Sequence, residues 1–347
     1  MTTPNSSLGN DLLFYIKTTE TCNLNCDHCF TNGKNGRKIY FHPESIADWC
    51  NRVKQYQPNA NAHFEYHGGE PFLAPIEDMW KFYDLTQEHW PNATYGITTN
   101  LVHKLTPAKL EFIEKVLDNR IGTSWDPEIR FENQKQIDLF ESNIKLLLDR
   151  GCTIKLFVSL TRDCVNIEPI KLLEYVKGLG VQEMDIERVT SNGLATKNLS
   201  VFPSNVEMQE WFLKMHEQMI EYNARHWFHN GFMENVYAKF EKGFTKAGTF
   251  CRDCEQKLFT INADGTIAGC PNSAPTDAWG HVMDDVATSL NAPKRCGIIA
   301  EELSRDPRCY DCPVYKYCGG DCHQLAWEGD VCPAPKLLMK ELASDKY

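Results

Sequence analysis

The feature that most restricts the fold of this chain is the spacing of its cysteines. Fifteen cysteines occur in 347 residues, and an odd number cannot pair completely in disulfides. Dense cysteine at short, regular spacings in a reducing compartment is more typical of metal or cluster ligation than of disulfide bonding. The regularly spaced members are Cys22, Cys26, Cys29, Cys251, Cys254, Cys270, Cys309, Cys312, Cys318, Cys322 and Cys332. They indicate a protein built around iron–sulfur clusters.

Composition and charge exclude several other classes of protein. Hydrophobic residues make up 42% and charged residues 24% of the chain, which is ordinary for a globular protein with a sizeable core. The formal net charge of −11 argues against nucleic acid as a partner, because phosphate binding needs clustered Lys and Arg. No apolar run is long enough to cross a membrane, and no signal peptide is recognisable. We therefore expect a cytoplasmic protein without a membrane or nucleic-acid partner.

Short apolar runs alternate with amphipathic stretches between residue 11 and about residue 190. Six runs have the composition of strands, at 12–19, 63–67, 95–99, 121–125, 153–160 and 184–189. Helical periodicity follows the first five, at 45–56, 76–89, 106–117, 133–149 and 168–179, and Ser45 is the predicted N-cap of the first helix. This alternation is typical of a parallel sheet with right-handed crossovers. The sequence predicts an α/β fold, a partly open (β/α) barrel of six strands.

The chain changes character after the predicted barrel. Ser204 is the predicted N-cap of a long helix, and a second helix is expected near 233–243, both serving as packing elements. Ala-Asp-Gly at 263–265, between two β-prone runs, predicts a hairpin. The predicted divisions are a tail at 1–10, a barrel at 11–195, a helical bridge at 196–250 and a cysteine-rich domain at 251–347.

The first cysteine group follows the first predicted strand. Cys22, Cys26 and Cys29 therefore lie at the carboxyl end of the barrel, where α/β folds place their sites. This CX3CX2C arrangement resembles the radical S-adenosylmethionine (radical SAM) superfamily, in which three thiolates hold a 4Fe-4S cluster and the fourth iron binds S-adenosylmethionine. The resemblance implies generation of a 5′-deoxyadenosyl radical.

Further motifs of that superfamily follow in order along the chain. Gly68-Gly69-Glu70-Pro71 resembles its GGEP motif, Thr99-Asn100 its threonine–asparagine pair, and Ser124 with Asp126 its serine-x-aspartate strand end. The resemblance implies that S-adenosylmethionine is bound by Gly68, Gly69, Glu70, Pro71, Asn100, Ser124 and Asp126. Arg130 and Glu187 are fainter candidates for the same pocket, and surface salt bridging is the preferred interpretation of both.

The C-terminal cysteines have the most specific pattern. Their CX2CX5CX3C run, with one further cysteine ten positions later, resembles the SPASM extension of radical SAM enzymes. The resemblance implies two auxiliary 4Fe-4S clusters, making three in all: one on Cys251, Cys254, Cys270 and Cys322, and one on Cys309, Cys312, Cys318 and Cys332. Cys251 or Cys254 is alternatively a spare thiol. Zinc on paired CX2C thiolates is the competing interpretation.

The resemblance predicts an oxidoreductase that modifies a side chain of a ribosomally made precursor peptide or small protein. The expected partners are that substrate and an electron donor such as flavodoxin or ferredoxin. A sulfatase-type maturase that forms formylglycine, a dehydrogenase of a small molecule, and a non-enzymatic cluster scaffold are the alternatives. Many peptide maturases carry an N-terminal recognition domain, whereas 21 residues precede Cys22, so we expect the barrel mouth, the bridge or a separate protein to bind substrate. The sequence identifies no catalytic base.

Overall fold

The computed structural model describes residues 8–126, 130–242, 252–273 and 275–344. Ten strands occur in these residues. They are β1 (Asp11–Thr19), β2 (Asn61–Gly68), β3 (Thr94–Thr99), β4 (Arg120–Ser124), β5 (Thr153–Leu160), β6 (Glu183–Arg188), β7 (His229–Asn230), β8 (Leu258–Ile261), β9 (Thr266–Ala268) and β10 (Gly280–His281).

Twelve α-helices connect or cover the strands in the described part of the chain. They are α1 (Pro43–Tyr56), α2 (Ile76–Gln87), α3 (Pro107–Lys115), α4 (Gln134–Asp149), α5 (Arg162–Val165), α6 (Pro169–Gly178), α7 (Asn205–Glu221), α8 (Gly231–Lys242), α9 (Val286–Leu290), α10 (Pro293–Leu303), α11 (Tyr315–Cys318) and α12 (Lys336–Ser344). None of the helices within the described ranges is long and apolar enough to span a bilayer.

The strands form one sheet with the order β10-β9-β8-β1-β2-β3-β4-β5-β6-β7. Strands β1 to β6 are parallel and adjacent in chain order, with helices between them. This is the arrangement expected from right-handed crossovers. The prediction of an α/β fold with six parallel barrel strands is therefore confirmed.

Alternation of side chains along each strand separates the barrel's lumen from its helical coat. In β5 every second residue, from Ile154 to Leu160, is buried, while Lys155, Phe157 and Ser159 are partly exposed. Successive side chains of a strand point to opposite faces. The apolar set therefore packs on the helices, and the other set faces a polar lumen.

The start of α1 differs from the predicted one. The helix begins at Pro43, whose fixed φ suits the first helical position, and His42 is the N-cap because its side chain accepts a hydrogen bond from the Ser45 backbone N–H. Ser45 lies inside the first turn, so its assignment as N-cap was wrong. By contrast, Ser204 caps α7 as predicted, in a reciprocal capping box with Glu207.

The hairpin of the cysteine-rich region is joined to the barrel. Strands β8 and β9 are antiparallel, as the Ala-Asp-Gly run predicts, and the turn places Gly265 at a φ of +86°. Strand β8 also pairs in parallel with β1, from Leu13 opposite Leu258 to Ile16 opposite Ile261. Phe259 of β8 stacks on Phe14 of β1 with ring centroids 5.1 Å apart. The predicted hairpin therefore extends the barrel sheet, which its local sequence did not indicate.

Candidate active site

A cavity of about 240 Å³ opens at the carboxyl ends of the barrel strands. Its wall combines the first cysteine group with the ends of β2, β3, β4, β5 and β6. The polar and thiol residues among those lining it include Cys22, Cys26, Cys29, Thr99, Asn100, Ser124, Arg130, Ser159, Glu187, Arg188, Thr190 and Asn272, and the backbone of Gly68 and Gly69 completes that wall. Most of the residues predicted to bind S-adenosylmethionine therefore meet at one place.

The three thiols of the first group lie together on this wall. Cys26 is buried, and Cys22 and Cys29 are partly exposed, with no disulfide. Burial raises the pKa of Cys22 to about 11 and that of Cys26 to about 12. The Cys22 sulfur accepts hydrogen bonds from the Leu24 backbone N–H at 3.3 Å and from the Asn100 amide at 3.5 Å, and these stabilise a thiolate. A cationic metal cluster is the partner that would ionise such buried thiols.

The glycine-rich loop lies against the backbone that leads into Cys22. The N–H of Gly69 donates to the Thr19 carbonyl at 3.0 Å, and the N–H of Glu70 donates to the Thr21 carbonyl at 2.9 Å. Gly68 has a φ of +138°, and a Cβ atom at Gly69 would overlap the Thr21 carbonyl and lie 2.9 Å from the Cys22 nitrogen. Both glycines are therefore required by the close approach of the two segments.

Replacing Gly69 with alanine is expected to displace the Thr21–Cys22 backbone. For the S-adenosylmethionine cleavage that the motif resemblance implies, the expected loss of rate is about 100-fold, as an ångström-scale misplacement produces. The measurement is the rate of 5′-deoxyadenosine formation by anaerobic, reduced protein. Gly297→Ala is the matched control, because a Cβ there meets nothing within 4 Å and alanine favours the helix. Equal rates for the two variants would contradict this role for Gly69.

Glu70 holds this loop to the end of β3. Its carboxylate is fully buried and accepts hydrogen bonds from the Phe72 N–H at 3.1 Å, the Thr99 hydroxyl at 2.7 Å and the Asn100 N–H at 2.8 Å. His103 lies 3.3 Å away. Because protein groups occupy the carboxylate, Glu70 positions Gly69 and Asn100, and its side chain does not line the cavity.

Asp126 is likewise occupied by protein groups. Its carboxylate is completely buried and contacts Arg130 Nε at 2.7 Å, His28 Nε2 at 3.2 Å and the Ser159 N–H at 2.7 Å. Burial raises the pKa of Asp126, but the charges of Arg130 and His28 outweigh it and hold this pKa well below its ordinary value. The interpretation of Arg130 as a surface salt bridge was wrong, since its side chain is 11% exposed. These contacts of Asp126 hold the cysteine loop against β5.

Two residues at the end of β6 complete the cavity wall. Glu187 is accessible from the cavity rather than from the outer surface, and desolvation by the surrounding barrel, together with Asp185, raises its pKa to about 7. Arg188 is buried beside it. The position of Glu187 corrects its interpretation as a surface salt bridge. Sequence reasoning gave Arg188 no role, although a cation directly at a predicted strand end was a usable signal.

A larger cavity of about 500 Å³ lies at the opposite, amino ends of the strands. Its charged groups are already paired with one another. Lys155 Nζ lies 3.1 Å from Asp185 and 3.4 Å from Glu183, and His63 lies 3.1 Å from Glu65. Size alone therefore does not make it the better site, and the carboxyl end is where parallel α/β folds bind ligands.

The C-terminal cysteines separate into two places. A small separate cavity, the four-thiol cavity, is lined by Cys309, Cys312, Cys318 and Cys332 together. Cys270 and Cys322 lie near one another. Cys322 borders a further cavity, which adjoins the candidate active-site cavity and shares Glu187, Arg188, Thr190 and Asn272 with it. Cys251, predicted as a ligand with Cys254, lies outside the described residues. Cys309, Cys312, Cys318 and Cys332 lie together, as do Cys270 and Cys322, and the assignment of Cys251 and Cys254 as ligands stays a prediction.

Four free thiols around one cavity fit a thiolate-bound group. Burial raises the pKa of Cys318 to about 12, so a metal centre is needed to hold it as thiolate. Across the described residues, no three His, Cys, Asp or Glu side chains come close enough to hold one metal ion.

Sequence comparison with known proteins matches about a third of this chain. No protein-family model matches the chain. An uncharacterized protein of Methanocaldococcus jannaschii is 28% identical over 120 residues, which are 32% of this chain and 37% of that protein. The chain thus spans little more than a third of the curated relative that it matches.

Solved structures match nearly the whole chain. Native anSMEcpe with bound AdoMet and Cp18Cys peptide has a TM-score of 0.80 at 16% identity, covering 97% of each chain. Streptococcus suis SuiB bound to precursor peptide SuiA has a TM-score of 0.61 at 15% identity, covering 90% of this chain and 72% of SuiB. At these identities the matches show a shared fold, and it is the α/β fold with parallel barrel strands that the sequence predicts.

Proposed function

We propose that the protein is a radical SAM oxidoreductase that oxidatively modifies a side chain of a ribosomally made precursor peptide. One observation carries this proposal: a single cavity brings the thiols of Cys22, Cys26 and Cys29 together with the glycine-rich loop, and reaches Asn272, two residues after Cys270. A cofactor held by Cys22, Cys26 and Cys29 would face a substrate that also lies near Cys270.

The residues of the cavity have separate proposed roles. The triad holds a 4Fe-4S cluster, and the backbone at Gly68 and Gly69 with the side chains of Asn100 and Ser124 binds S-adenosylmethionine. When bound, this pair supplies a 5′-deoxyadenosyl radical that takes a hydrogen atom from the substrate. A substrate bound in the barrel mouth would displace water from the site, which would limit side reactions of such a radical.

The auxiliary ligand sets are proposed as the sequence assigns them. One 4Fe-4S cluster is held by Cys251, Cys254, Cys270 and Cys322, and the other by the cysteines of the four-thiol cavity. Residues 251–347 form the auxiliary-cluster domain, 196–250 the helical bridge and 11–195 the barrel. A flavodoxin or ferredoxin in the cytoplasm is the proposed electron donor.

A peptide substrate is supported by what the similar structures contain. Both anSMEcpe and SuiB have been solved with bound peptides, Cp18Cys and SuiA respectively. The likeness to anSMEcpe, an anaerobic sulfatase-maturating enzyme, is the greater of the two and covers both chains almost completely. Formation of formylglycine on a sulfatase is therefore the second candidate function, and dehydrogenation of a small molecule is the third.

The test is incubation of anaerobically reconstituted protein with S-adenosylmethionine, a reductant and candidate peptides, followed by mass spectrometry. Precursor peptides encoded beside its gene and a sulfatase-derived cysteine peptide are compared directly. Loss of two hydrogens from a neighbouring peptide supports the first function, and conversion of cysteine to an aldehyde supports the second. Protein that binds zinc and no sulfide, and forms no 5′-deoxyadenosine, would contradict both.

A further inference from the structure

The loop Cys318–Cys322 connects the two sets of C-terminal cysteines, and its backbone conformation is unusual. Cys318 lines the four-thiol cavity, and Cys322 borders the cavity that adjoins the barrel site. The three residues between them have φ values of +65°, +95° and +56°, the last at Asp321. Positive φ is unfavourable for a residue with a side chain. Gly319 and Gly320 adopt such values readily, so the cost falls on Asp321, and surrounding contacts must hold that residue in place.

Two arginines outside the loop hold its backbone carbonyls, and a third binds its side chain. Arg305 donates to the carbonyl of Gly319. Arg252 donates to the carbonyl of Gly320 at 2.6 Å and to that of Asp321. Each backbone carbonyl between the two cysteines thus accepts a hydrogen bond from a guanidinium group.

Arg188 binds the side chain of the same loop. Its Nη2 donates to one oxygen of Asp321 at 2.8 Å and its Nη1 to the other, while Nη1 also reaches the Pro333 carbonyl at 3.1 Å. The side chains of Arg188 and Asp321 are 3% and 1% exposed. Asp321 further accepts the N–H of Cys322 at 2.7 Å. The barrel and the cluster loop are therefore joined by a buried, bidentate ion pair.

Arg188 and Asp321 lie beside both sets of C-terminal cysteines, so their charges act on both sets. Arg188 borders the same cavity as Cys322, and its partner Asp321 lines the four-thiol cavity together with Cys318. Water is excluded here, so charges interact more strongly than at the surface. The reduction potential of an iron–sulfur cluster depends on nearby charge, hydrogen bonding and solvent exposure. A cation makes the addition of an electron more favourable, and an anion makes it less favourable.

We propose that Arg188 and Asp321 are positioning residues that set the reduction potentials of both auxiliary clusters, Arg188 raising and Asp321 lowering them. The inference rests on the proposed function, which supplies the clusters. Because Arg188 also lines the candidate active-site cavity, the pair connects the place where substrate is oxidised with the centres that would take its electron.

The experiment is a potentiometric titration of the reconstituted full-length protein, followed by electron paramagnetic resonance. The variants are Arg188→Gln, Asp321→Asn and the double variant Arg188→Gln/Asp321→Asn. A background with Cys22, Cys26 and Cys29 replaced by alanine isolates the auxiliary signals. Arg225→Gln is the control, because Arg225 makes a similar bidentate contact with Glu234 on the exposed side of the bridge.

We expect Arg188→Gln to shift the auxiliary midpoint potentials down and Asp321→Asn to shift them up. The double variant should return close to the wild-type values, because the net charge is restored. Arg225→Gln should leave them unchanged. If Arg188→Gln fails to load its clusters, since it leaves a buried carboxylate without its partner, comparison of Asp321→Asn with the double variant still isolates the charge of Arg188.

A merely structural role would move the two single variants in the same direction, or move neither, and either result would overturn the inference. Iron and sulfide content separates this failure from failure of the proposed function. Full loading with unmoved potentials refutes the role of the ion pair alone. Iron sufficient for one cluster per wild-type chain refutes the auxiliary clusters and this inference, whereas the proposed function fails only if that protein also forms no 5′-deoxyadenosine.

Discussion

Replacement of Cys26 with alanine is expected to abolish cleavage of S-adenosylmethionine and to remove the iron of one cluster from each chain. Cys26 is the most buried thiol of the triad, at 8% exposure, and lies beside the Asp126–Arg130 pair. A cube that must keep one iron open for the cofactor has no spare ligand among three. The measurements are 5′-deoxyadenosine formed under reducing conditions and the iron content of anaerobically purified protein.

Two further cysteines provide matched controls for this prediction. Cys296 is exposed on α10, and Cys164 is buried in α5, and neither lines the cavity. Their alanine variants should keep the iron content and cleavage activity of the wild type, with a modest stability loss for Cys164→Ala. Retention of cleavage by Cys26→Ala would show that the triad does not hold the reactive cluster.

The second large effect is expected at Glu70, whose alanine variant should lower the free energy of unfolding by about 3 kcal/mol or more. Removing the carboxylate leaves the backbone N–H groups of Phe72 and Asn100 buried without acceptors, at about 1–3 kcal/mol each. The same change releases the loop that carries Gly69. Both the thermal midpoint and the rate of 5′-deoxyadenosine formation should therefore fall.

Glu70→Gln should have a smaller effect, because one amide oxygen still accepts a hydrogen bond. Burial raises the pKa of Glu70, but the hydrogen bond and charge of His103, with the Asn100 N–H and the Thr99 hydroxyl, make it lower than normal. This stabilisation is present above the unfolded pKa of about 4.3 and is lost as the pH falls through the lowered folded value. The loss should be absent in Glu70→Gln.

Glu217→Ala, on the exposed face of α7, is the control for the Glu70 variants and should change the free energy of unfolding by less than about 0.5 kcal/mol. A Glu70→Ala variant as stable and as active as this control would show that the buried hydrogen bonds do not hold the loop.

The parts of the fold that follow from local pattern could be predicted from the sequence. Strand β5 begins and ends where its β-prone run does, and the Ser204 capping box marks the start of α7, because both depend on neighbouring residues. The N-cap of α1 was misplaced because Pro43 can begin a helix two residues before Ser45. Element ends depend on such local competition.

Contacts between distant residues could not be predicted in this way. Arg188 and Asp321 are 133 residues apart, and no periodicity in either segment indicates that they meet. The burial of Arg130 against Asp126 depends on how the cysteine loop folds over β5. For the candidate site, motif spacing gave the residues that gather at the cavity, whereas only the folded chain shows which side chains face it and which hold the backbone.

Strand β1 has partners on both sides, β2 and the hairpin strand β8. A chain cut before Leu258 would therefore leave the backbone groups of Leu13 to Ile16 that face β8 without partners along an open border, while those that face β2 would keep theirs. Such a border is a template for strand exchange between molecules and for aggregation. The barrel strands are thus not expected to behave well without the hairpin. Shortened versions made to study the barrel alone should retain the hairpin or carry charged residues on the exposed edge of β1.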